Sequence, residues 1–68
     1  MRYKGHDIEI TTWTSGQPWP ETITFDGTPM EYAHEWESRA GSQIIYYCEP
    51  GNCRRHGVER KALMEARK

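Results

Sequence analysis

The sequence predicts a small α+β domain of order β-β-α-β-α, with a three-stranded, mainly antiparallel sheet, one helix packed on a face and a basic C-terminal helix. Three observations carry this expectation. Two short runs alternate apolar and polar residues before residue 26, as half-buried strands do. Thr28-Pro29-Met30-Glu31 has the composition of a helix start. The chain's 68 residues suffice for one domain, read as 1–68.

The first strand is read from His6-Asp-Ile-Glu-Ile-Thr-Thr-Trp13, where Ile8 and Ile10 share one face and Asp7, Glu9 and Thr11 the other. Thr14–Pro20 is rich in breakers and reads as a loop. Glu21-Thr-Ile-Thr-Phe25 alternates again and is expected to pair with the first run as an antiparallel hairpin. Asp26-Gly27 turns the chain. In the helix that follows, over 29–40, Thr28 is the cap, Pro29 suits the first position and Glu31 closes a capping box. Its wheel sets Met30, Ala33, Trp36 and Ala40 on one face against Glu31, His34, Glu35, Ser38 and Arg39 on the other, with Gly41 as terminator. Gln43–Cys48 is β-branched and aromatic, a central strand. Glu49-Pro-Gly-Asn52 is a tight turn. A second helix is expected from about Val58 to Arg67, with Val58, Ala62 and Ala66 on one side, Leu63 adjacent, and Arg60, Lys61, Arg67 and Lys68 on the other.

The core is expected to be rich in aromatic residues. Leu, Ile, Val and Phe together number eight, a supply that alone points towards disorder. Three Trp and four Tyr argue the other way, because each brings a large apolar body and a polar handle. No apolar run is long enough to span a bilayer. The N-terminus shows no secretory signal, Met1 reads as the natural start, and a cytoplasmic location is expected. The net charge of −1 hides an asymmetry. Residues 1–53 hold three basic and eight acidic residues, a net −5, and residues 54–68 hold six and two, a net +4. The chain thus divides into an acidic body and a basic end.

Four constellations can carry function. Cys48-Glu-Pro-Gly-Asn-Cys53-Arg-Arg-His56 holds two thiols across a turn and an imidazole three residues on, a partial donor set for tetrahedral zinc. The fourth ligand would be His34, His6 or solvent. The same proximity admits a Cys48–Cys53 disulfide in an oxidising compartment, and the third state is a small core residue with an incidental free thiol. The basic end, with Arg54, Arg55, Arg60, Lys61, Arg67 and Lys68, can lie along phosphates, although a pI near 6.3 is low for a dedicated nucleic-acid binder. Acidic residues, Glu31 and Glu35 on the helix and Asp7 and Glu9 on a strand, can engage a basic partner or imitate nucleic-acid charge. Trp19, in the loop between two prolines, is an anchor candidate.

No phosphate-binding glycine loop, nucleophile elbow or paired His-Glu helix motif occurs. Cys53 and His56 are a nucleophile and base by residue type alone, without an orienting residue or room for a deep pocket. The expectation is therefore a non-enzymatic interaction domain, a protein-binding inhibitor or regulator. Small size, one domain, uneven charge and no catalytic motif are common among accessory proteins of phages and mobile elements. The alternative is a nucleic-acid-binding module using the basic C-terminal helix, held by zinc.

Overall fold

Two Xaa-Gly turns organise the chain. The structure, a computed structural model, describes residues 1–52 and 54–67. Strands β1 (Arg2–Tyr3) and β2 (His6–Thr12) are joined by Lys4-Gly5, and β3 (Thr22–Phe25) and β4 (Thr28–Glu37) by Asp26-Gly27. In both turns the two central residues have positive φ: 48° and 84° in the first, 53° and 83° in the second. That is the signature of the two-residue type I′ hairpin, whose twist matches that of the flanking strands. β5 (Gln43–Cys48), β6 (Arg55–Glu59) and helix α1 (Arg60–Arg67) complete the order.

The result is a six-stranded antiparallel half-barrel sheet of order β1-β2-β3-β4-β5-β6, followed by one short helix. This overturns the predicted three-stranded β-β-α-β-α arrangement. The 29–40 segment is not a helix but the ten-residue strand β4, paired with β3 from Thr28 to Glu31 and with β5 from Glu31 to Glu37. Local capping chemistry lost to hairpin pairing. The type I′ turn places Thr28 opposite Phe25 and Met30 opposite Ile23, so Met30 is buried by strand pairing. Pro29 is tolerated because its nitrogen faces away from β3, and pairing with β5 begins only at Glu31.

Met30, Tyr32 and Trp36 alternate with Glu31, Glu35 and Glu37 in the sequence, but a register shift between Tyr32 and His34 keeps the three from sharing one face. The extra residue, Ala33, flips the phase of the strand. Tyr32 lies opposite buried Tyr47, whereas His34 and Trp36 lie opposite Tyr46 and Ile44 on the other face. Gly41 sits in the β4–β5 turn instead of ending a helix, its N–H donating to the Ser38 carbonyl. The C-terminal helix starts at Arg60 instead of near Val58, because Arg55–Glu59 pairs with β5 as a sixth strand. The basic end is thereby joined to the acidic body through a strand.

The concave face holds the core: Ile8, Ile23, Phe25, Met30, Ile45, Tyr47, Val58 and Leu63. Leu63 is fully buried and docks α1, which packs on β5 and β6. An eight-residue helix with two cations in its first turn does not stand alone, so burial of Leu63, with Ala62 packed beside the core, fixes its place. The 13–20 loop closes over the concave side. Pro20 is buried and its carbonyl accepts the Tyr47 hydroxyl at 2.7 Å. The Pro18 carbonyl accepts Arg60 Nε at 3.0 Å. The two ends of the sheet approach where the Glu59 N–H donates to Tyr3 Oη at 3.3 Å. No helix among the described residues is long and apolar enough to cross a membrane.

Candidate interaction site

Cys48 and His56 project from opposite faces of the sheet. Cys48 is paired with Arg55 and Tyr47 with His56, and neighbouring strand positions alternate faces. His56 stacks on Phe25 on the concave side, ring centroids 4.3 Å apart. Cys48, a half-buried free thiol, faces the convex side. His34 is on the convex side too, but stacks on Tyr46 at 4.8 Å. Cys53 lies outside the described residues. Among the described residues no group of three or more His, Cys, Asp and Glu side chains is placed to hold a metal, so the zinc reading has no converged donor set here.

The acidic pair is divided as well. Glu31 stands opposite Cys48 on the convex face and Glu35 opposite buried Ile45, so they do not share the helix face expected of them. Glu35 accepts the Tyr32 hydroxyl. That hydrogen bond, with burial and the carboxylate charge adding to it, raises the Tyr32 phenol above its ordinary value. Trp19 is half-buried, tilted against Tyr32 at 5.4 Å and packed on the core. It serves first as part of the loop that closes the half-barrel.

Of the basic residues, Arg60 is recruited to structure through Pro18 and, at 3.5 Å, the Gln43 side-chain oxygen. Arg54, Arg55 and Lys61 are exposed. Arg67 ends α1, and Lys68 lies outside the described residues. Arg54 and Arg55 stand apart from the helix that carries Lys61: Arg55 belongs to the convex face of β6 and Arg54 precedes that strand.

The convex face of β4, β5 and β6 is the feature that the helix prediction concealed. Trp36, assigned to a buried helical face, is instead 62% exposed. It sits across from Ile44, and His34 across from Tyr46. Tyr46 in turn faces Gly57 on β6. A Cβ built at Gly57 would stand 2.9 Å from both Tyr46 Cε1 and Ile44 Cγ2, so the missing side chain lets both groups lie flat on the sheet. Asp7, Glu9, Glu31 and Glu59 share this convex face with Arg2 and Arg55, a net charge of −2 from four acids and two bases. The readable signal was Asp26-Gly27 between alternating runs, which as a hairpin turn makes 28–37 a strand.

A second cluster lies on the concave side. The Asp26 carboxylate accepts the Asp7 N–H at 2.8 Å and pairs with His6 Nδ1 at 2.7 Å. The backbone hydrogen bond first, and the His6 contact second, hold its pKa below the ordinary value. His6 and His56 both lie against Phe25, their own centroids 6.5 Å apart. No protein family, curated protein or solved structure matches this chain.

Proposed function

We propose that this chain is a small non-enzymatic interaction module, an inhibitor or regulator that binds a basic protein partner in the cytoplasm through the convex face of β4–β6. The observation that supports this most is Trp36. A large aromatic side chain 62% exposed, set beside Ile44 and near the Tyr46–His34 stack, is the composition of a binding hot spot. The acidic residues on the same face select a partner whose apolar contact is ringed by Lys or Arg. Glu31 belongs to this surface. Trp19 and Glu35 lie on the other side of the sheet and are not part of this surface.

The test is affinity capture from source cells with the wild-type chain, Trp36→Ala and Glu31→Lys. The reading expects one stoichiometric basic protein that both variants lose while remaining folded. Identical capture by all three would refute it. A second reading, nucleic-acid binding by the basic end, is supported by the docking of α1 through Leu63, which presents Lys61 from a fixed helix. No mobility shift of duplex or single strands at low salt, where the electrostatic contribution is largest, would dismiss it.

A further inference from the structure

We propose that the cleft between His6 and His56 is a binding site for a tetrahedral oxyanion of the phosphate type. Its volume is about 270 Å³, and its walls come from β2, β3, β4 and β6 together with Asp26, Glu49 and Arg54. Three nitrogen-bearing groups line it: His6, His56 and Arg54. Each is prepared in a different way. His6 is oriented, because its Nδ1 is committed to Asp26 at 2.7 Å and only Nε2 is left for a ligand. His56 is fixed by stacking on the buried Phe25 ring, with no hydrogen bond to its imidazole among the described residues. The Arg54 guanidinium has no carboxylate within ion-pair distance among the described residues, and its planar fork suits two oxygens of one phosphate.

The carboxylates at the cleft do not cancel this preference. Asp26 already accepts the Asp7 N–H and the His6 contact, and Arg2 acts on it from β1. Glu49 accepts the Asn52 side chain at 3.4 Å. With both imidazoles protonated, the charged groups lining the cleft (His6, His56, Arg54, Asp26 and Glu49) sum to +1, and with both neutral to −1. The cleft therefore favours an oxyanion more when the imidazoles carry charge. The site lies on the opposite side of the sheet from Trp36, so it stands apart from the protein-binding reading.

The experiment follows the three histidine ring C–H resonances of the full chain by NMR at pH 6 and constant ionic strength while inorganic phosphate is added. The expected result is a saturable shift of His6 and His56, with His34 on the convex face unmoved. Arg54→Met and His56→Asn should each weaken apparent affinity about tenfold or more, as expected for loss of a charge-assisted hydrogen bond. Sulfate, whose charge is constant over the range, should bind more weakly at pH 8 than at pH 6. Competition by a nucleoside monophosphate or by phosphoserine would support the site and separate the two sources of the phosphate group. The proposal is overturned if no shift saturates, if chloride reproduces it, if His34 moves equally, or if Arg54→Met binds as wild type in a folded chain.

Discussion

Gly57→Ala should be destabilising, although a glycine-to-alanine change in a strand ordinarily is not. Gly57 does not have positive φ, so alanine meets no backbone strain, and the smaller unfolded-state entropy favours it by about 0.4–1 kcal/mol. Against this, its methyl would sit 2.9 Å from Tyr46 Cε1 and Ile44 Cγ2 and 3.3 Å from Tyr46 Cδ1. Neither neighbour is the far end of a flexible chain, and relieving such overpacking costs about 1–3 kcal/mol. The expected net loss is about 1–2 kcal/mol. For 68 residues the unfolding entropy is about 0.14 kcal/mol/K, so each kcal/mol lowers Tm by about 7 °C. Thermal unfolding followed by circular dichroism should therefore show a fall of about 7–14 °C. Tyr46→Ala in the same background should recover part of it, since the ring that the methyl strikes is gone. A Gly57→Ala chain as stable as wild type would refute the placement of Tyr46 across Gly57, and with it the flat floor beside Trp36.

Leu63→Ala removes the side chain that docks α1 and should cost about 2–5 kcal/mol, against a total of about 3–10 kcal/mol for a chain of this size. Helical circular dichroism should fall with the urea midpoint, and an unchanged midpoint would contradict the docking. Tyr47→Phe leaves the Pro20 carbonyl without its donor and should cost about 1–3 kcal/mol, read by urea denaturation. Burial pushes the Tyr47 phenol well above its ordinary 10.0. The unfolded phenol therefore ionises first, and stability falls as pH rises past about 10. Tyr47→Phe should flatten that alkaline limb. Asp26 works in the opposite sense: its pKa is held below 3.8, so its contribution is present above that pH and lost as pH falls through the lower folded value. Asp26→Asn should be less stable at neutral pH and lack this acid limb, as checked by pH-dependent melting.

Which parts of the fold were legible follows from how local their causes are. β2, β3 and β5 were readable because Ile8/Ile10, Ile23/Phe25 and the Gln43–Cys48 run declare themselves within a few residues. β4 carried two signals in conflict. Thr28-Pro29-Met30-Glu31 satisfies a helix-capping pattern, and Asp26-Gly27 satisfies a type I′ turn. The turn prevailed because it buries Met30 opposite Ile23 and then lets a whole strand pair on both sides. A capping box yields about one local interaction. The bulge at Ala33 then sets Trp36 on the face opposite Met30 and Tyr32, although the three alternate in the sequence. β6 was missed for a related reason: Arg55-His-Gly-Val-Glu59 has one aliphatic residue, and its place comes from pairing with β5.

The same phase error moved the candidate sites. On a helix, Trp36 belongs with Met30 and Ala33 in the interior, while Glu31 and Glu35 stand one turn apart outside. On a bulged strand, Trp36 and Glu31 come to the convex face and Glu35 goes to the other. Residue type identified the ingredients, an acidic surface and an aromatic anchor, but the anchor was sought in Trp19, which the closing loop packs against the core. The His6–Asp26–His56 cleft had no sequence signature at all. His6 follows one Xaa-Gly turn, Asp26 begins the other, and His56 is 50 residues from His6. They meet only because the sheet curls until its first and last strands approach. A site assembled by curvature across the ends of a sheet is non-local in the same way as the barrel that forms it. Perturbing the curl, at Gly5 or Gly27, should therefore disturb the cleft before it disturbs the convex face, whose residues come from three adjacent strands.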